Sequence, residues 1–211
     1  MCWTAFCHVA RRETAEMSDS PRNAAPGALV SGLQAALLLA RGRPEGVQHL
    51  DNDMRAAARS FWAAAVALPA FLCLRLMDWS AEGLPTHPGH TAALDLLSFV
   101  IGWAGFAVIS RRMVAAMGRG TAWPRFVAAW NWCNVVQYLL LVVAGIPLLL
   151  GAPDWVDQTA GLVALGWALW LEWFAARVTL QVPGFAAAGL VLADIVLGLI
   201  LSGATEAALG S

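Results

Sequence analysis

Five apolar segments of about 20 residues follow one another along this chain, and they restrict its fold more than any other feature. A helix needs about 20 apolar residues to cross the hydrocarbon core of a bilayer. Hydrophobic residues make up 59% of the sequence, and the long unbroken apolar runs exclude the alternating strands of a β-barrel. We therefore predict an all-α, polytopic membrane protein, a five-transmembrane-helix bundle. The predicted spans are residues 60–79, 91–110, 125–150, 159–179 and 183–204, which together form a membrane domain over residues 51–204.

The first 27 residues carry charges and prolines without any apolar period, and we predict a disordered cytoplasmic segment there. Met17 is a plausible alternative start, so residues 1–16 could come from a mis-assigned start codon. Cys2, Cys7 and His8 resemble a fragment of a metal site, but a zinc site needs three or four ligands. We expect neither a metal nor a cofactor.

A short apolar stripe follows at residues 28–41, with a turn that extends to residue 50. Its spacing predicts an amphipathic helix that is too short to cross a membrane. In one interpretation this N-terminal helix lies in the cytoplasmic interface, where Arg41 and Arg43 contact anionic lipid headgroups. In the other, it packs against the bundle without contacting lipid.

The distribution of arginine predicts the orientation in the membrane, because all 13 basic residues are Arg. Seven of them precede the first span, the loop 111–125 holds four, and Arg177 ends the fourth span, whereas the other loops hold none. By the positive-inside rule the N-terminus is cytoplasmic. The short tail 205–211 is then external, and a bacterial inner membrane is the expected location.

Three amides, Asn131, Asn134 and Gln137, recur every three residues within the third span. On a helix they form one slanted polar stripe. Glu172 and Asp194 enter the same inner-to-middle layer from the fourth and fifth spans. A charged group at mid-bilayer costs about 2.5–3.5 kcal/mol on insertion scales, so such residues usually face the bundle interior. We predict that these five side chains form one intramembrane polar cluster. If a carboxyl has no cationic partner, we expect it to be neutral, and a neutral carboxyl hydrogen-bonded to the amides needs no counter-ion.

This cluster has two interpretations that the sequence leaves open. It is either a binding or proton-relay site, or a set of hydrogen bonds that hold the helices together. Arg75 and Asp95 lie at matching depth near the outer ends of adjacent antiparallel spans, which predicts an ion pair. His87 and His90 lie close together on a loop, and we expect them to be solvated rather than to bind a metal.

Several stretches of the chain are similar to a known set of proteins. They are LQAALLLARGRPEGVQHLD with SFWAAAVALPAFL, FVAAWNWCNVVQ, ALWLEWFAARVTL and GLVLADIVLGLIL. Over about residues 30–204 they resemble an uncharacterised family of small alphaproteobacterial multi-pass membrane proteins, loosely Yip1-like. The resemblance implies the same five-span topology and a non-enzymatic role, and it carries over no catalytic residues.

No P-loop, dinucleotide fingerprint, HExxH motif or nucleophile elbow is present, so we expect no enzyme and no nucleic-acid partner. The leading hypothesis is a non-enzymatic inner-membrane protein that organises the membrane by interacting with lipids, other membrane proteins or further copies of itself. The alternative is a small proton-coupled transporter or permease component that uses the intramembrane cluster.

Overall fold

The computed structural model describes residues 24–209, and that part of the chain consists of helices and loops without any strand. Its α-helices are α1 (Ala24–Ala40), α2 (Met54–Ser60), α3 (Trp62–Glu82), α4 (Pro88–Ala116), α5 (Trp123–Ala144), α6 (Ile146–Leu149), α7 (Asp154–Leu180) and α8 (Gly184–Leu209). Short 3-10 helices lie at Pro44–His49 and Gly120–Ala122.

Within the described range, five helical segments are long and apolar enough to cross a membrane. They are Met54–Ala81, Pro88–Ala116, Gly120–Leu149, Asp154–Leu180 and Gly184–Leu209. Each overlaps one of the predicted apolar segments, and the predicted all-α polytopic bundle is confirmed.

The ends of several elements differ from the prediction. The last helix continues through Leu209, so residues 205–209 belong to it and not to a separate tail. The third span is interrupted at Gly145, just before Pro147, whose missing N–H cannot continue the hydrogen-bond ladder. Helix α1 begins at Ala24, inside the stretch predicted to be disordered, whereas residues 1–23, with Cys2, Cys7 and His8, lie outside the described residues.

Helix α5 occupies the centre of the bundle. It packs against α7, α3, α1 and α2, whereas α8 packs against α4 and α7. Every residue from Phe126 to Cys133 is buried. The amide-bearing helix is therefore the most enclosed one, and its polar groups must find partners inside the protein.

Helix α1 packs on the bundle across α5. Ala35, Ala36 and Leu39 are fully buried, and Gly32 lies directly against the indole of Trp132. This packing fits the interpretation in which the helix lies against the bundle. Its other face, however, leaves apolar side chains exposed. Contact between lipid headgroups and the exposed Arg41 and Arg43 stays a prediction.

Candidate functional site

The three amides of α5 have three different partners. The side-chain nitrogen of Asn131 donates to the Ser60 hydroxyl at 2.7 Å, and that of Gln137 donates to the Ala168 carbonyl on α7 at 2.8 Å. Asn134 donates to the carbonyl of Trp130, one turn earlier on its own helix. The predicted hydrogen bonds between amides and carboxyls are therefore not formed among the described residues. The stripe turns around α5, so that Asn131 contacts α2 and Gln137 contacts α7, whereas Asn134 bonds within α5.

The two carboxyl groups lie close enough to interact electrostatically. Glu172 is buried and Asp194 is half-buried, and the two side chains interact electrostatically across the contact between α7 and α8. Neither forms an ion pair with an arginine in the described part of the chain. Two adjacent carboxyls without a cation cannot both be ionised at low cost, so the pair is suited to holding a proton.

Trp130 is the polar residue that the sequence interpretation missed. Its indole N–H is the group that both carboxyls share, yet it forms no hydrogen bond within ordinary limits of distance and angle. Glu172 Oε1 and Asn131 Oδ1 are likewise buried without a partner. Buried polar atoms usually have partners, so such a concentration marks a functional candidate. The signal in the sequence was the indole donor itself, which lies beside the amide stripe but counts as apolar in a hydropathy pattern.

A large cavity leads to this polar site from one end of the bundle. We call it the vestibule; its volume is about 590 Å³. Its lining extends from Trp79, Thr91 and Glu206, near the ends of their helices, to Trp130, Asn134 and Asp194, farther along theirs. We call the first end its mouth and the second end its floor. Water or a small ligand can therefore approach two of the five residues of the predicted cluster, whereas Asn131, Gln137 and Glu172 do not line the vestibule.

The predicted pair of Arg75 and Asp95 lies in the wall of the vestibule. Arg75 Nε is 3.7 Å from Asp95 Oδ1, and Arg75 Nη1 is 3.4 Å from Asp78 Oδ2. The guanidinium also lies over the ring of Phe71, 5.6 Å from its centroid. Asp95 is buried and Arg75 is partly exposed, so the cation is held at the edge of the cavity.

A second cavity approaches the polar site from the opposite end. We call it the inner cavity; it has a volume of about 340 Å³ and lies between α1, α2 and α5. Ser60 and Trp132 line it, and the Ser60 hydroxyl accepts the hydrogen bond from Asn131. Trp130 and Asn131, consecutive on α5, therefore lie between the inner cavity and the vestibule.

The loops at the arginine-rich end of the bundle are tied to one another. Arg125 Nε donates to the Leu50 carbonyl at 3.1 Å, and Arg119 Nη2 donates to the Gln181 carbonyl at 3.2 Å. Arg177 lies over the Trp173 ring, 5.2 Å from its centroid. These contacts place the predicted inner loops at one end of the molecule, opposite the mouth of the vestibule.

Taken with the five spans, these features define the class of the protein: it is a multi-pass helical membrane protein. Comparisons with protein families, with curated proteins and with solved structures find no match to the chain. Among residues 24–209 no group of three or more His, Cys, Asp or Glu side chains is placed to hold a metal ion, and His87 and His90 are exposed.

Proposed function

We propose that the protein is a small proton-coupled transporter or permease component of the bacterial inner membrane. The observation that carries this proposal is that the vestibule reaches Asp194, next to the buried Glu172. Ionisable groups inside a membrane bundle that face a cavity commonly belong to substrate or proton pathways. An interhelical hydrogen-bond network alone would have no need for an access route.

In the proposed mechanism the carboxyl pair holds one proton when the vestibule is free of ligand. Two other titratable groups that interact electrostatically with the pair are on α5: Cys133 interacts with Glu172, and Tyr138 interacts with Asp194 and with Arg75. A cation that enters the vestibule takes the place of the proton, which leaves through the vestibule as the carboxyl O–H bond breaks. Passage onwards requires Trp130 and Asn131 to move, in the manner of one helix group rocking against another.

The orientation that we propose places the vestibule on the periplasmic side. It rests on the concentration of arginine at the opposite end of the bundle, which the positive-inside rule assigns to the cytoplasm. The N-terminus is then cytoplasmic and the C-terminus periplasmic. We also keep as a proposal the membership in a family of small alphaproteobacterial, loosely Yip1-like membrane proteins.

A second candidate is a membrane-organising role without transport. It is favoured by the outward face of α8, where Phe185, Leu192, Leu199 and Ile200 are all strongly exposed. Such a face suits lipid, another membrane protein or a second copy of this chain. In this case the hydrogen bonds of Asn131 and Gln137 serve only to hold the helices together, at roughly 0.6–2 kcal/mol each.

Thiol accessibility tests the proposed route directly. Asn134 lines the vestibule, whereas the native Cys133 beside it is buried, so the two positions form a matched pair. In a variant that lacks Cys2, Cys7 and Cys73, we expect Asn134→Cys to react with a membrane-impermeant thiol reagent added from the periplasmic side. Cys133 alone should stay unreactive. If both thiols are equally inert in the folded protein, the access route is refuted.

Proton flux then separates transport from helix packing. Glu172→Gln and Asp194→Asn remove the proton site while keeping the shapes of the side chains. Loss of proton uptake by vesicles at normal folded yield supports transport. Loss of yield with unchanged flux per folded protein supports the organising role.

A further inference from the structure

The wall of the vestibule is aromatic. Phe71 and Phe99 are 4.7 Å apart between ring centroids, Phe99 and Trp103 are 5.8 Å apart, and Phe99 and Tyr138 are 6.0 Å apart. Trp103 continues the row to Trp130 at 5.4 Å. All five rings line the cavity. The faces of aromatic rings attract cations, and the attraction is strongest where the cation has lost its water.

The charged groups of the vestibule also favour a positive ligand. Four carboxyl groups, those of Asp78, Asp95, Asp194 and Glu206, line it together with the single guanidinium of Arg75. A cleft that is lined mostly by one sign of charge concentrates counter-ions within it. The carboxyls do not converge into any group of three that could surround a metal ion in the described residues. A hard inorganic ion that needs six or more oxygen ligands is therefore poorly matched.

The floor of the vestibule adds polar groups that a ligand can contact. Trp130 is 4% exposed and lines the cavity, and its Nε1–H faces the carboxyls of Glu172 and Asp194 without forming a well-aligned hydrogen bond to either. Beside it lies the carboxyl of Asp194. The floor thus combines an aromatic ring, an indole N–H and an acidic group, which are the kinds of group that orient a ligand in a small-molecule pocket.

We infer that the vestibule binds a monovalent organic cation with apolar or aromatic substituents, such as a quaternary ammonium or phosphonium ion. Its charge lies near Asp194 and its body lies against the aromatic wall from Phe71 to Trp130. The cavity of about 590 Å³ is within the roughly 300–1,000 Å³ typical of small-molecule pockets. This inference rests on the proposed function and specifies the substrate class of the same site.

The test uses the full-length protein in lipid nanodiscs, with tetraphenylphosphonium as the probe in equilibrium dialysis. Neutral triphenylphosphine oxide and the anion tetraphenylborate serve as controls, because they carry similar phenyl groups without the positive charge. They show how much binding the apolar body alone produces. We expect saturable binding of the phosphonium alone, and at least about tenfold weaker binding in Asp194→Asn, equivalent to about 1.4 kcal/mol. Asp154→Asn is the matched control, because Asp154 is exposed at the same end of the bundle without lining the vestibule.

A second variant keeps the test decisive if Asp194→Asn fails to fold. Gly198 lines the vestibule, and a Cβ added there meets nothing within 4 Å, so Gly198→Phe should fill the cavity without displacing the core. It should weaken phosphonium binding at least tenfold. Equal binding to wild type and to whichever of the two variants folds would mean partition into lipid, and it would overturn the inference.

The inference and the proposed function can fail separately. If no cation binds saturably but the thiol of Asn134→Cys is still accessible and proton flux still depends on Asp194, the organic cation is refuted and the transporter stands. If the thiol of Asn134→Cys is inert and proton flux does not depend on Asp194, both the organic-cation inference and the proposed function are refuted.

Discussion

Asn131 on α5 donates a hydrogen bond of 2.7 Å to the hydroxyl of Ser60 on α2, which lies 71 positions earlier in the chain. Both side chains are buried, and Ser60 in turn donates to the Ala57 carbonyl. A single hydroxyl thus connects the central helix to the start of the first span. Because Ser60 also lines the inner cavity, this bond lies between that cavity and the polar site.

Removing this hydroxyl should loosen the contact between the two helices. Ser60→Ala leaves the Asn131 amide without its acceptor, and we expect the stability to fall by about 0.6–2 kcal/mol, the range of interhelical hydrogen bonds in membrane bundles. Thermal or SDS-induced unfolding in detergent measures the change. Ser80→Ala is the matched control, since within the described part of the chain the Ser80 hydroxyl bonds only to the Met77 carbonyl of its own helix. Equal losses from the two substitutions would contradict the role assigned to the Ser60 contact.

The docking of α1 depends on a close approach at Gly46. A Cβ there would meet the Ala35 carbonyl oxygen at 2.6 Å and the side chains of Leu38 and Leu39 at 3.1 Å. Because backbone cannot give way as a flexible side chain can, Gly46→Ala should destabilise the protein by about 1–3 kcal/mol.

The same unfolding measurement compares Gly46→Ala with Gly166→Ala. A Cβ at Gly166 meets nothing within 4 Å, so this helical control should be neutral or more stable by up to about 1 kcal/mol. A loss of stability as large at Gly166 as at Gly46 would show that α1 does not depend on the close approach.

The sequence predicted the features that follow from depth along straight helices. Arg75 and Asp95 could be paired because both lie near the outer ends of consecutive antiparallel spans. The rotation of a helix against its neighbours could not be obtained in this way. The spacing of Asn131 and Gln137 sets the angle between their side chains around the helix, but it does not determine which helix each one faces. In the structure Asn131 bonds to α2 and Gln137 bonds to α7.

The cavities were beyond sequence reasoning for a related reason. Their volumes depend on how side chains from several helices pack together, a property of the assembled bundle that no single segment carries. Trp130 is the clearest example of what the sequence pattern cannot show. Its ring contributes to the apolar pattern of α5, whereas its indole N–H matters only because the fold places Asp194 and Glu172 near it.

The orientation can be tested with reporters fused to the chain. The arginine distribution predicts that a fusion at Ser211 is active only with a reporter that works in the periplasm, such as alkaline phosphatase. A fusion in the loop at Gly118, within the arginine-rich segment, should be active only with a cytoplasmic reporter such as green fluorescent protein. The opposite pattern at both sites would place the mouth of the vestibule in the cytoplasm.

The charge of Arg75 should limit how tightly the vestibule binds a cation. Among residues 24–209, Arg75 is the one arginine that lines the cavity with the four carboxyls, and Arg75→Gln removes its charge. We expect tetraphenylphosphonium to bind about 3- to 10-fold more tightly at low salt, with the gain shrinking as ionic strength rises, because the effect is Coulombic and screened by ions.

Arg177→Gln provides the matched control for this substitution, since it removes the same charge at the opposite end of the bundle. It should leave phosphonium affinity unchanged. Weaker binding in Arg75→Gln at full folded yield would mean that the guanidinium holds the site in shape through Asp95 rather than opposing the ligand's charge. A gain that persisted at high salt would show instead that the bulk of the Arg75 side chain, and not its charge, restricts entry to the vestibule.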